Sequence, residues 1–330
     1  MKILTIVIPA YNAENYLNKC IDSIVQSSVV NELDIIIVND GSKDSTKDIA
    51  EMYKHQYPES IRVINKENGG HGSGVNCGIR YASAKYFKVV DSDDWLSTEY
   101  LEDYIKFLKQ TDSDVILNNY CFVDILSGNT KRCIYKDVEY LKEYTIKDIL
   151  PFKISFTIHN ITYKTHLIQS IPLVLQENTF YVDEEYCVIP FMYAQTICFH
   201  NAVLYNYLVG QTNQSIAFKN QIRNLSHKER VIIRLAQLWE KTPMTYENQK
   251  ITHDKILQIY LSYFPIALIY NSNKKQGILD AKKLMTKIKA SSKRLFLANY
   301  IKCYVYLLMG YMNISPQFYE KIQNFRKKTR

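Results

Sequence analysis

The stretch Ile3-Leu-Thr-Ile-Val-Ile-Pro-Ala-Tyr-Asn12 decides how the rest of the chain is read. Its first six residues are apolar or β-branched without alternation, the pattern of a strand buried on both faces. Past Pro9, Tyr16, Leu17, Cys20, Ile21, Ile24 and Val25 recur at helical spacing, so a helix follows the strand. Leu33-Asp-Ile-Ile-Ile-Val38 repeats the buried-strand pattern, runs into the turn Asp40-Gly41-Ser42, and precedes a short helix with Ile49, Met52 and Tyr53 inward. A third strand fits 61–64, and a glycine-rich segment at Gly69–Gly74 leads into a helix ending near Ala84. Residues 86–90 read as a fourth strand that stops at Asp91. Tyr100, Leu101, Tyr104, Ile105 and Leu108 mark a helix before a further strand at 115–118. Strands and helices in alternation predict an α/β domain with a mainly parallel sheet covered on both faces.

The 330 residues are too many for one small core. From about 120 to 215 the pattern is mixed, with aromatic strand-like pieces such as 202–208; from about 220 it is mostly helical. Charge shifts at the same place. Residues 215–330 hold 22 Lys and Arg against 6 Asp and Glu, whereas residues 1–214 hold 19 against 27. The expected division is therefore 1–215, an α/β domain, and 216–330, a basic helical domain. No run of 18 apolar residues suggests a membrane-spanning helix, and the N-terminus lacks a small-residue cleavage site, so no signal peptide is expected. Seven scattered cysteines without a Cys-x-x-Cys pair point to reduced thiols and a cytoplasmic location, not to zinc or disulfides.

Open α/β sheets bind ligands at the carboxyl ends of their strands. Three clusters fall there: Pro9-Ala10-Tyr11-Asn12, Asn39-Asp40-Gly41-Ser42 and Asp91-Ser92-Asp93-Asp94. Asp-x-Asp alone says little, because 17 aspartates in 330 positions give roughly one such triplet by chance. A second, Asp112-Ser113-Asp114, precedes a strand and so lies at the wrong end of the sheet. Asp91 and Asp93 lie at the right end, where two carboxylates can share Mn²⁺ or Mg²⁺ with substrate phosphates. The plainer reading is a helix entry, with Asp94 or Ser97 as its cap. Tyr11, Asn12 and Asp40 have the plainer reading of turn residues.

These residues resemble family 2 glycosyltransferases of the GT-A fold, of the kind that builds bacterial surface polysaccharide or glycoprotein glycans. Val7-Ile-Pro-Ala-Tyr-Asn12, Ile37-Val-Asn-Asp-Gly-Ser42, Glu67-Asn-Gly-Gly70 and Val89-Val-Asp-Ser-Asp-Asp-Trp95 look like the family's first four strand motifs, in order. The resemblance is specific over about 1–120 and looser to 215. It implies an inverting transfer from a UDP-sugar donor to the hydroxyl of a lipid- or protein-linked glycan. Pro9, Ala10 and Tyr11 would cradle the base beside Asn12, and Asp40 would meet the uracil ring nitrogen. Asn68 would hold the nucleoside, Asp91 and Ser92 would lie near the ribose, and Asp93 would bind the metal with Asp91. The family's arginine before the asparagine is Val75 here; Gly74 and its neighbouring glycines could let the backbone approach the ligand. Asp183 matches the family's base position, with Glu184 next, although Val182 replaces the usual acidic neighbour. The plainer reading of that run is an acidic helix N-terminus.

His200 is a candidate third metal ligand, against the alternative of a buried structural histidine. Residues 207–215 resemble a family segment near the diphosphate, which implies Gln211, Gln214 and Ser215 as candidate contacts. Two other classes remain: a nucleotidyltransferase, which would want a basic glycine-rich loop in place of Pro9–Asn12, and a catalytically idle sugar-binding or scaffold protein. The basic region, with Lys282, Lys283, Lys287, Lys289, Lys293 and Arg294 interleaved with apolar residues, suits peripheral contact with an anionic membrane at the inner face of the cell. An acceptor glycan and a plain solvated face are the other readings. Nucleic acid is not expected, since no binding motif is present.

Overall fold

The computed structural model describes residues 2–152, 154–210 and 218–328, with side chains to 325. The chain divides into two compact units, Met1–Gln211 and Thr212–Arg330.

The first unit begins with β1 (Leu4–Ala10), α1 (Leu17–Val25), β2 (Leu33–Asp40), α2 (Thr46–Gln56), β3 (Ile61–Lys66), α3 (His71–Tyr81) and β4 (Tyr86–Val89). β5 (Trp95–Leu96), α4 (Thr98–Gln110), β6 (Val115–Asp124), β7 (Thr130–Cys133), β8 (Glu143–Thr145) and α5 (Ile146–Ile149) follow. β9 (Ile161–Lys164), α6 (Thr165–Ser170), α7 (Asp183–Val188) and β10 (Thr196–Val209) complete it. The sheet order is β3-β2-β1-β4-β9-β6-β10-β5, with β7 beside β6 and β8 beside β10. β1 pairs in parallel with β2 and β4, β2 with β3, and β6 with β10. β9 runs against both β4 and β6, so β6 and β10 share the direction of the first four strands. The sheet is thus mainly parallel, as the alternation predicts, with antiparallel β9 inserted at its centre and β5, β7 and β8 pairing antiparallel with β10 or β6.

Every residue of β1 and β2 is buried, which is what their unbroken apolar runs require. Leu17, Cys20, Ile21 and Ile24 bring α1 onto the same core. On α3 small residues set the distance: a Cβ at Gly78 would lie 2.4 Å from Val7, and one at Gly74 would lie 2.9 Å from Pro9. The helix can approach β1 this closely only because both positions are glycine.

The second unit is helical among its described residues: α8 (Phe218–Arg223), α9 (Leu225–Lys241), α10 (Tyr246–Pro265), a π-helical turn at Ile266–Tyr270, α11 (Lys274–Ser291), α12 (Lys293–Tyr311) and α13 (Pro316–Lys328). Its core includes Ile232, Leu235, Tyr260, Phe264, Leu284, Ile288 and Leu307. No described helix is long and apolar enough to cross a membrane.

Candidate functional site

The first and second strand ends are latched together. Asn12, in a left-handed conformation (φ 50°), accepts a hydrogen bond from the Lys43 N–H through Oδ1 at 2.9 Å, and its own N–H donates to Ser42 Oγ at 3.1 Å. The Ala13 N–H donates to Thr46 Oγ1 at 2.7 Å. This clasp leaves the Tyr11 ring half exposed at the rim. Pro9 and Ala10 stay buried beneath it.

Asp40 is only 3% exposed, and its carboxylate already takes three donors. Lys66 Nζ and the Gly69 N–H reach Oδ1 at 2.6 and 3.0 Å, and the Gly70 N–H reaches Oδ2 at 2.7 Å. Asn68 Nδ2 donates to the Asp40 carbonyl at 2.8 Å. The observed work of Asp40 is therefore to fasten the 66–70 loop to β2; a base N–H would have to share an oxygen with these donors. That loop delivers Gly70 (φ 80°) as the N-cap of α3 and His71 as its first residue.

Asp91 follows β4, and His71 meets it: Nε2 lies 2.8 Å from Asp91 Oδ1. Burial alone would raise the Asp91 carboxyl, but the charge and hydrogen bond of His71 outweigh it and hold the group below its ordinary value. The same pair works in reverse on His71, where burial is overcome by Asp91, with Asp183 and Asp93 adding to the rise. On the other side, His159 Nε2 lies 4.0 Å from Asp91 Oδ2. The His159 ring is stacked on Tyr207 with centroids 3.9 Å apart, and Thr157 Oγ1 lies 3.2 Å from Nδ1. Burial pushes His159 down to about 4 despite the pull of Asp91, so its imidazole is neutral at ordinary pH.

Asp94 is buried at 1% exposure. Its Oδ2 accepts from the Tyr205 hydroxyl at 2.7 Å and its Oδ1 from the Leu208 N–H at 2.7 Å. Burial first, then the nearby charges of Asp91 and Asp93, push its carboxyl well above the usual range. Ligand atoms of Asp91, Asp94 and His159 all lie within 4.8 Å of one another. Two carboxylates and a neutral imidazole are suitable donors for a divalent cation. The crowding that raises Asp94 is what a cation would relieve, so the residues fit such an ion.

The sequence pattern named Asp91, Asp93 and His200; the structure groups Asp91 with Asp94 and His159. Asp93 is half-buried in the turn and close enough to act on His71 and Asp94. It is Asp94, however, that lies within ligand distance of Asp91 and His159. His200 belongs elsewhere: its ring, 1% exposed, packs against Tyr104 and Phe107 with centroids 5.1 and 4.9 Å away. Its Nδ1 accepts from the Ala202 N–H at 3.1 Å and its Nε2 faces Asp103 at 3.4 Å, which is the structural role and not the ligand one. Gly74 is corrected too. It is buried inside α3 against Pro9, so its missing side chain serves helix–strand packing instead of a ligand.

α3 also positions the segment that carries the expected base. Asn76 clamps Leu175, donating to its carbonyl at 2.9 Å and accepting from its N–H at 2.7 Å. The Asn178 N–H donates to the Gly69 carbonyl at 2.6 Å, and a Cβ on Gly72 would strike the Gln176 carbonyl at 2.4 Å. Left-handed Asn178 and Tyr181 then turn the chain into α7. Of its three acids, Glu185 is fully buried and binds Gln176 through its N–H and Nε2 at 2.9 and 2.6 Å. Asp183 acts electrostatically on His71 and Tyr207, two groups that border the Asp91 cluster. Asn68 is exposed, and Ser92 is half-buried in the turn after β4. Gln211, Gln214 and Ser215 lie outside the described residues. Sequence reasoning missed His159, and it left His71 without a role. His71, directly after Glu67-Asn-Gly-Gly70, was the one detectable signal.

The family described as "Glycosyl transferase family 2" matches residues 5–163. Glycosyltransferase GlyA of Streptococcus pneumoniae is 35% identical over 141 residues, which are 43% of this chain and 20% of that protein. A poly(ribitol-phosphate) beta-glucosyltransferase of Bacillus spizizenii is 34% identical over 183 residues, 51% of this chain and 27% of that one. The chain thus spans well under half the length of these two curated relatives. Among solved structures, residues 1–349 of TarS from S. aureus in complex with UDP-GlcNAc superpose with a TM-score of 0.68 at 19% identity, covering 89% of this chain and 83% of that one. At that identity the likeness speaks for the fold alone, the GT-A arrangement with its helical C-terminal part.

Proposed function

The chain belongs to glycosyl transferase family 2 through residues 5–163, and from that premise we propose that it moves a sugar from a UDP-sugar to a hydroxyl of an acceptor glycan, with inversion. The observation that carries this reading is the convergence of Asp91, Asp94 and His159 at one strand end, with the charge of Asp183 acting on His71. Asp91, Asp94 and His159 would hold Mn²⁺ or Mg²⁺. A divalent cation there supplies neutralisation of the charge that grows on a leaving diphosphate. The half-exposed Tyr11 ring would stack on the base, above the clasp made by Asn12, Ser42 and Thr46. Asp183 would take the proton from the acceptor hydroxyl as that oxygen attacks the anomeric carbon from the face opposite the diphosphate. Holding both substrates in line supplies much of the remaining rate.

The Bacillus spizizenii relative is named for glucosylating poly(ribitol-phosphate), which supports a glycan or polyol-phosphate polymer as the class of acceptor. A panel of UDP-sugars scored by thermal shift, with and without Mn²⁺, tests the donor reading. One sugar should raise the melting point in the presence of the metal and not in its absence, because a ligand that binds only the folded state stabilises it. If no UDP-sugar shifts the transition, the donor assignment is wrong.

A further inference from the structure

We infer that the exposed side of α12, flanked by lysines of α11, is a docking surface for an anionic lipid bilayer. The inference concerns the second unit and does not depend on the donor reading.

Leu297, Ile301, Tyr304, Val305, Leu308 and Tyr311 lie at the spacing of one helix face, and all are exposed; Ile301 is 63% open to solvent and Leu308 58%. The opposite side of α12 carries the core contacts, Leu295, Asn299, Cys303 and Leu307. Water meets the apolar side instead, which is unfavourable for a surface left uncovered.

The charge around this face selects the occupant. Between Asp280 and Glu320 the sequence holds seven basic residues and no acidic one; Lys287 and Arg294 pair with Glu229 and Glu240 of α9, and Lys282, Lys283, Lys289, Lys293 and Lys302 are exposed. Lys282 Nζ lies 5.4 Å from the Tyr311 ring centroid and Lys289 Nζ 5.9 Å from that of Phe296, so the lysines of α11 border the apolar stripe. Lys302 is exposed on α12 itself. Apolar side chains with tyrosines at their margin and a cationic border match the interfacial layer of a bilayer rich in acidic lipid. A second copy of the chain fits less well, since pairing these faces would set two cationic borders against each other. α12 would lie in the interfacial plane and not cross it, in keeping with the lack of any described helix able to span a membrane.

The test is co-sedimentation of the whole chain with vesicles of phosphatidylcholine, alone or mixed with phosphatidylglycerol. The chain should pellet with the mixed vesicles, far less with the neutral ones, and less as salt is raised. Ile301→Glu with Leu308→Glu should lower the partition coefficient at least roughly tenfold. Lys282→Glu with Lys289→Glu should lower it by a similar factor, because each lysine near acidic lipid contributes about fivefold. All four side chains point to solvent or lie at the surface, so circular dichroism should confirm unchanged folding. Failure to pellet with phosphatidylglycerol vesicles would overturn the inference. So would self-association in the ultracentrifuge that the apolar pair abolishes while vesicle binding is absent, since the face would then be an interface between copies.

Discussion

One hydroxyl ties both ends of the acidic turn together: Tyr205 Oη donates to Asp94 Oδ2 at 2.7 Å and accepts the Asp91 N–H at 3.1 Å. Tyr205 stands on β10, and β10 pairs with β5 directly after the turn. The carboxylates are therefore held by the sheet and not by the turn alone, the outer support that metal ligands commonly need.

Tyr205→Phe should weaken Mn²⁺ binding about 10- to 100-fold. It should also cost about 1–3 kcal/mol of stability, because the Asp91 N–H and the buried Asp94 oxygen lose a partner. Metal titration by calorimetry and urea unfolding check the two parts. Unchanged Mn²⁺ affinity would separate Tyr205 from the site.

His159→Ala and His200→Ala should behave differently. The first removes an imidazole within 4.8 Å of both carboxylates and should lower Mn²⁺ affinity about 10-fold or more. The second removes a ring buried between Tyr104 and Phe107 and should lower the melting point while leaving affinity intact. The opposite pattern would restore His200 as the ligand.

Asp183→Asn should reduce transfer to an acceptor by about 100- to 10,000-fold while leaving donor and metal binding near wild type. Glu184→Gln should have little effect, and Glu185→Gln should act on stability through the Gln176 clamp. Full transfer by Asp183→Asn would move the base elsewhere.

Lys88 sits fully buried on β4, with Nζ donating to the His159 and Ile161 carbonyls at 2.9 and 3.2 Å. Burial pushes its ammonium down to about 7 from an ordinary 10.5. Between those values the unfolded chain binds the extra proton, so stability should rise with pH, by at most about 1.4 kcal/mol per unit. Lys88→Met lacks this titration, and wild type should gain on it between about pH 7 and 10. Urea midpoints that run parallel for the two proteins over that range would contradict a buried, titrating lysine.

Local pattern revealed the fold wherever one element supplied the whole signal. The unbroken apolar runs of β1 and β2 require burial on both faces, and Leu101, Tyr104, Ile105 and Leu108 mark the buried face of α4. β9 is four residues long, too short to show a period, so its insertion between β4 and β6 was illegible, and His159 with it. The site was hidden for a related reason. The Asp-x-Asp spacing selects Asp91 and Asp93, whereas the role of Asp94 depends on Tyr205, 111 positions away. Glycines after a strand read as a loop near ligand; at Gly74 and Gly78 they are helical, and what they permit is contact with Pro9 and Val7. The clasp on Asp40 was illegible because its partners, Lys66 and the Gly69 and Gly70 amides, gather only in three dimensions.

The most direct test of the central claim is UDP release from the UDP-sugar that binds, followed with and without Mn²⁺ in wild type and Asp91→Ala. Slow hydrolysis by wild type that depends on Mn²⁺ and falls at least about 100-fold in Asp91→Ala is the predicted result. Equal release by the two proteins, or release indifferent to the metal, would contradict a cation-dependent donor site at Asp91, Asp94 and His159.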